Sequence, residues 1–279
     1  MAGARRIWLC ADDYGISDSV NAAIRELIAR ARINATSVMV AAPHFERGEA
    51  AALAMLNSGK KRAAIGLHVT LTAPFKPISK DFAPLQDGHF PPLNRMMRAA
   101  LARLLNHERL AIEVAAQVQA FVAALGRPPD FIDGHQHIHL FPQVRDAVLK
   151  VAAETAPQAW VRQCGRPRSA RRLHLRKELL LDILSVGFRR KARRLGVATN
   201  PAFAGAYEFN RATEQDFARR FPQFLRGLPP QSVVMCHPGF VDAELERLDP
   251  LTTLREREYA YFCSERFVET LKAHDLTLN

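Results

Sequence analysis

A single irregular (β/α) barrel is the fold class that this 279-residue sequence predicts. Three observations carry that prediction. Short apolar runs alternate with helical patterns, the order expected of a parallel sheet covered by helices. About seven such units follow one another without a composition break, and α/β barrels of roughly 250 residues commonly form one unit. Hydrophobic residues make up 48% and charged residues 24%, ordinary globular usage that excludes a disordered or fibrous chain.

The elements follow in order. RIWLCA (6–11) reads as a strand, and SDSVNAAIRELIARARI (17–33) as a helix capped near Ser17. ATSVMVA (35–41) is a second strand, FERGEAAALAMLNSG (45–59) a helix, and AAIGLHVTL (63–71) a third strand. Residues 72–94 hold five prolines and little periodicity, which predicts a loop serving as lid or substrate wall. Helical patterns continue to about Leu125, where GRPPD breaks them before the strand-like FIDGHQHIHL (131–140). QAWVRQ (158–163), GVATN (196–200) and SVVMCHP (232–238) are later strand candidates. EQDFARRFPQFLRG (214–227) and LREREYAYFCSERFVETLKAH (254–274) read as helices. The whole of 1–279 is read as one domain.

The formal charge of +11 is concentrated between Arg162 and Arg194, where 12 Lys or Arg face only Glu178 and Asp182. A solvated basic helix accounts for this segment, because cations favour a helix C-terminus. Peripheral contact of 162–194 with a membrane surface is the sharper alternative. No RNA-binding aromatic motif or zinc-finger spacing is present, so no nucleic-acid partner is expected. No apolar stretch reaches 18 residues, and the short apolar run after the basic start does not resemble a secretory signal. The expectation is a cytoplasmic protein, peripheral at the inner membrane surface if the basic segment touches lipid. Cys10, Cys164, Cys236 and Cys263 lack CxxC spacing and read as free thiols. The sequence leaves open whether the chain forms a homo-oligomer.

In a (β/α) barrel, functional side chains gather where strands end and βα loops emerge. Four clusters fall at such places: Asp12 and Asp13 after RIWLCA, His68 late in AAIGLHV, Asp133 with His135, His137 and His139, and His237 after SVVMC. If 131–140 stays extended, its spacing of two puts Asp133 and the three histidines on one face. Titratable groups so crowded are costly unless they meet water, a metal or each other. An acidic pair after a strand is also a common helix-start device, and a lone strand-end histidine is often structural. It is the convergence that points to chemistry. One Asp and two His can bind a divalent ion and leave positions open for water. Such an ion acidifies water and polarises a carbonyl, and the other carboxylate of the Asp pair and His237 can serve as base and acid. GxSxG, Walker A and GxGxxG patterns are missing.

These residues resemble the YdjC-like carbohydrate deacetylases, the family that includes chitooligosaccharide and hopanoid-associated deacetylases. ADDYG (11–15), GLHVTLT (66–72) and DGHQHIHLFP (133–142) carry the resemblance, with HPG (237–239) as a shorter fourth motif in the same order. The resemblance implies a barrel that removes acetyl groups from N-acetylated sugars, oligosaccharide or glycolipid. It implies one divalent metal ion, magnesium or zinc, held by Asp13, His68 and His135. Asp12 would be the general base, with His237 the candidate acid. Asp133, His137 and Arg162 would support the ligands or contact substrate. Tyr14 stands where phenylalanine is common, and Gly134 and Gln136 fill variable places. A phosphoesterase on the same barrel and a non-catalytic membrane-surface protein are the alternatives.

Overall fold

The computed structural model describes residues 3–58, 63–167, 176–207 and 217–279. Seven parallel strands form the main sheet: β2 (Trp8–Tyr14), β3 (Ala35–Val38), β4 (Ala64–Val69), β5 (Phe131–Gly134), β6 (Trp160–Val161), β7 (Phe203–Ala204) and β8 (Val233–Cys236). Their spatial order is β6-β5-β4-β3-β2-β8-β7. β1 (Arg5–Arg6) pairs separately with β9 (Leu276–Thr277), which joins the two ends of the described chain. Helices cover the sheet, so its inner strands are buried on both faces and read as apolar runs rather than alternating ones.

The sheet curls until its edges meet. Val161 donates to the Ala198 carbonyl at 2.9 Å and forms an isolated parallel bridge with Thr199, while Phe203 N donates to Gly165 O at 3.0 Å. The buried side chain of Asn200 completes this seam. Its carbonyl accepts from Gln163 N at 2.8 Å, and its amide donates to the carbonyls of Gln163 and Ala202. GVATN is thus a seam with one bridge, and the strand pairing with β8 comes later, at Phe203–Ala204. An amide side chain satisfies there the backbone groups that a ladder would otherwise pair.

Local chemistry sets several boundaries. The helix Asp18–Ala29 starts where Ser17 Oγ accepts from Val20 N, as its sequence predicts. Asn106 caps His107–Leu125, and Gly126, at φ 70°, ends that helix in a left-handed turn. The 254–274 pattern is two helices, Thr253–Cys263 and Glu265–Ala273, because Ser264 takes an extended conformation and caps the second. Gly66 lies in β4 where a Cβ would come within 2.4 Å of the Phe131 ring, so glycine lets β4 and β5 pack together.

The proline-rich connection is tied down. Glu113, fully buried on the His107–Leu125 helix, accepts from the backbone of Ile78 and Ser79 and from the Ser79 hydroxyl. Phe75, Phe82 and Phe90 from this connection join the hydrophobic core. Of the basic segment, 168–175 lies outside the described residues, and Arg176–Arg194 is helical. Among the described residues, no helix is long and apolar enough to cross a membrane. The four cysteines are free thiols.

Candidate active site

The site forms at the C-terminal ends of β2, β4 and β5. In a regular strand, consecutive residues point to opposite faces, so Asp12 and Asp13 could not share a site. The register of β2 against β3 shifts between Ala11 and Tyr14, and Asp13 takes φ 69°. This bulge turns the second carboxylate beside the first. Gly15 continues the turn at φ 104°, a conformation that favours glycine.

The carboxylate of Asp13 faces two imidazoles. Its Oδ1 lies 3.0 Å from His135 Nδ1 and 3.4 Å from His68 Nε2. One donor atom from each of the three residues falls within 4.8 Å of the others, and all three side chains are buried. His68 and Asp133 are register partners on adjacent strands, which places their side chains together. Asp133 Oδ1 lies 2.6 Å from His68 Nδ1, so the ring is oriented from behind and keeps Nε2 toward Asp13. Phe75 of the proline-rich connection packs edge-on against His135, with ring centroids 5.7 Å apart.

Two fully buried arginines hold the two aspartates. Arg162 donates to Asp12 Oδ2 at 2.6 Å and Oδ1 at 2.7 Å, and pairs with Asp133 Oδ2 at 2.5 Å. It also lies 3.0 Å from Cys10 Sγ. Cys10, Asp12 and Asp133 would otherwise make a second metal-like cluster, but this guanidinium already occupies it. Arg255, from the Thr253–Cys263 helix, donates to Asp13 Oδ2 at 2.7 Å and through Nε to Leu251 O at 2.9 Å. No strand-end reasoning reaches Arg255, because it comes from a helix 242 residues along the chain from Asp13. A fixed positive charge inside a helix read only as amphipathic is a weak signal in sequence.

Electrostatics follow from this packing. Burial alone would raise the pKa of Asp12, but the Arg162 guanidinium outweighs it and holds the carboxyl well below the usual range. Asp13 is likewise lowered against its burial, by Arg255 and His135. Burial would depress His68, yet Asp133 and Asp13 raise it to about 10. Three buried carboxylates (Asp12, Asp13, Asp133) thus face two buried guanidiniums, leaving one negative charge to be met by a protonated His68 or by a cation. One oxygen and two ring nitrogens aimed at a common point form a donor set suited to a divalent ion.

The remaining histidines divide. FIDGHQHIHL is not an extended strand. β5 ends at Gly134, and His135–Leu140 is a 3₁₀ turn in which Gln136 and His137 have φ of 54° and 59°. The spacing-of-two expectation therefore fails, and the turn sends successive histidines in different directions. His137 faces Cys164 Sγ at 3.7 Å and the Phe203 ring, with centroids 5.6 Å apart. His139 is fully buried against the Arg162 carbonyl at 2.8 Å, and burial pushes its pKa down to about 4. His237 follows β8, with its backbone N–H donating to Glu258. Burial pushes the His237 pKa down to about 4, although the nearby Asp13 and Asp12 charges oppose this. Glu258 also accepts from the Tyr207 hydroxyl, and burial raises its own pKa to about 7.

Known proteins resemble this chain in sequence and fold. A chitooligosaccharide deacetylase of Escherichia fergusonii is 30% identical over 228 residues, covering 74% of this chain and 87% of the relative. A carbohydrate deacetylase of Clostridium beijerinckii is 26% identical over 289 residues, covering 97% of this chain and all of its own length, 100%. The crystal structure of an Enterococcus faecalis protein named for cellobiose-phosphate cleavage matches the fold with a TM-score of 0.74 at 20% identity, covering 99% of this chain and 97% of that one. The sequence model of the YdjC-like protein family matches residues 6–273, nearly end to end, and this chain belongs to that family.

Proposed function

We propose that this protein is a divalent-metal-dependent deacetylase that hydrolyses the acetamide of an N-acetylated amino sugar, free or lipid-linked. The observation that carries the reading is Asp13 Oδ1 facing the ring nitrogens of His135 and His68 at 3.0 and 3.4 Å. The names of the deacetylase relatives support it. A divalent ion held by Asp13, His68 and His135 would polarise the acetamide carbonyl and acidify a water molecule. Zinc and magnesium both suit such ligands.

Asp12 is the proton acceptor. Arg162 keeps it ionised and fixes both its oxygens, which lowers its basicity and limits it to accepting from an acidified donor. Asp133 and Arg162 are fully buried and act as positioning residues: Asp133 orients the His68 ring, and Arg162 orients Asp12 and Asp133. Arg255 does the same for Asp13. His237 is neutral at pH 7, so the proton it gives to the departing amine is loaded during the cycle. Asp12 would take a proton from the water as its oxygen bonds to the carbonyl carbon, and His237 would return a proton to nitrogen as the C–N bond breaks. Acetate and the free amino sugar leave. His137 faces Cys164 and Phe203 rather than Asp13, and in this reading it contacts substrate instead of metal.

The test is acetate release from N-acetylglucosamine oligomers with zinc, magnesium, manganese or cobalt added in turn. Metal-dependent acetate is the expected result. Phosphate release from simple phosphoesters, without acetate, would instead assign the phosphoesterase alternative. His135→Ala is expected to lose bound metal and activity together, and full activity in that variant without metal would overturn the ligand assignment.

A further inference from the structure

We propose that the exposed face of the Arg176–Arg194 helix is a docking surface for an anionic lipid bilayer. The helix has two unlike sides. Leu181, Asp182, Ser185, Phe188 and Ala192 are buried against the barrel. The opposite stripe runs through Leu179, Ile183, Val186, Arg190 and Arg193, spaced four, three, four and three residues apart, as one helical face requires. Its first half is apolar and open to solvent: Leu179 is 39% exposed, Leu180 38%, Ile183 61% and Val186 46%. Its second half is cationic, with Arg190, Arg193 and Arg194 in no ion pair among the described residues.

Charge decides the occupant. The acids of this helix are already engaged, since both Glu178 and Asp182 pair with Arg166. From Leu179 to Arg194 the exposed stripe therefore offers no anion to the matching helix of a second copy, as a symmetric contact across this face would need. Attraction to the helix's own C-terminus explains cations in the last turn, but it does not explain four exposed aliphatic side chains leading up to them. An apolar stripe continuing into arginines matches a surface with acyl chains beneath anionic headgroups. The helix would lie on such a surface, not cross it. The inference does not rest on deacetylase activity, because its readout is partitioning.

Vesicle co-sedimentation of the full chain tests it. At low salt, the protein is expected to sediment with phosphatidylcholine vesicles holding about 30% phosphatidylglycerol and to stay in solution with phosphatidylcholine alone. Raising salt to about 0.5 M should release it, because the Debye length falls to a few ångströms. Ile183→Glu with Val186→Glu, and separately Arg190→Gln with Arg193→Gln and Arg194→Gln, should each lower binding at least about tenfold. Ile183→Phe should strengthen it, which guards against loss through misfolding. Absence of sedimentation at low salt, equal binding to neutral vesicles, or binding indifferent to Ile183→Glu overturns the proposal. Concentration-dependent dimerisation abolished by Ile183→Glu, without vesicle binding, reassigns the face to a second copy and also overturns it.

Discussion

The two arginine–aspartate pairs under the site look alike and are built differently. Both guanidiniums are fully buried, and each holds one of two consecutive aspartates. Arg162 spans two carboxylates from strands that are not neighbours, Asp12 on β2 and Asp133 on β5 with β3 and β4 between them, and meets Asp12 with two parallel bonds. Arg255 reaches Asp13 with Nη2 alone, which also lies 3.4 Å from Asp249, and its Nε donates to the Leu251 carbonyl. Asp12 is thus shut into a fixed ion cluster, while Asp13 keeps Oδ1 toward two imidazoles. The lesson is that adjacent residues of one type acquire separate tasks from their partners, not from their own chemistry. In the proposed mechanism, one carboxylate handles protons and the other holds a cation.

The largest test of this division is to neutralise each aspartate. Asp12→Asn should retain metal and lose turnover by about a thousandfold, the scale of general-base removal. Asp13→Asn should lose metal together with turnover. Metal content measured beside kcat separates the two, and equal metal loss in both variants would erase the distinction.

The arginines come next. Arg162→Met leaves Asp12 and Asp133 buried without their cation, and should cost about 3–5 kcal/mol in urea unfolding along with most of kcat. Arg255→Met leaves Asp13 facing two histidines, which cushion the loss. The expected effect is a 10–100-fold weaker metal affinity, read by competition with a chelator, with a smaller stability loss. Should Arg255→Met prove the more destabilising of the pair, the contrast between them fails.

The smallest effect is on pH dependence. The buried carboxyl of Glu258 has its pKa raised to about 7, above the usual 4.5, so the folded protein holds its proton more tightly than the unfolded chain. Its contribution is therefore fully present below about pH 4.5 and is lost as pH rises through about 7. Glu258→Gln removes this loss. Relative to the parent protein, the variant should gain about 3 kcal/mol between roughly pH 5 and pH 8. Urea midpoints at the two pH values measure it, and a constant difference would show that Glu258 is ionised throughout.

Much of this site was legible in the chain, and the illegible parts share a cause. The strand ends carrying Asp12, His68, Asp133 and His237 follow from apolar runs broken by polar motifs. The Ser17 cap and the Gly126 stop follow from local chemistry. The face shared by Asp133, His135, His137 and His139 did not survive, because two successive residues with positive φ fold the segment into a turn. GVATN reads as a strand, yet only one of its residues bridges to β6, and the Asn200 amide does the remaining pairing. Arg255 left only a weak signal, since the charge of a helical arginine does not say whether the residue is buried.

The sequence by itself determined the alternation of strands and helices, the places where the chain turns polar, and the residue types able to bind a metal. These depend on short-range periodicity and composition. Tertiary structure alone decided which oxygens and nitrogens face one another. The bulge that brings Asp12 and Asp13 side by side, the register that sets Asp133 behind His68, and the approach of Arg255 to Asp13 all arise from packing between distant segments. Orientation at the scale of a metal–ligand bond is set by such packing, because a change of one backbone dihedral redirects a side chain without altering the pattern that encodes its strand.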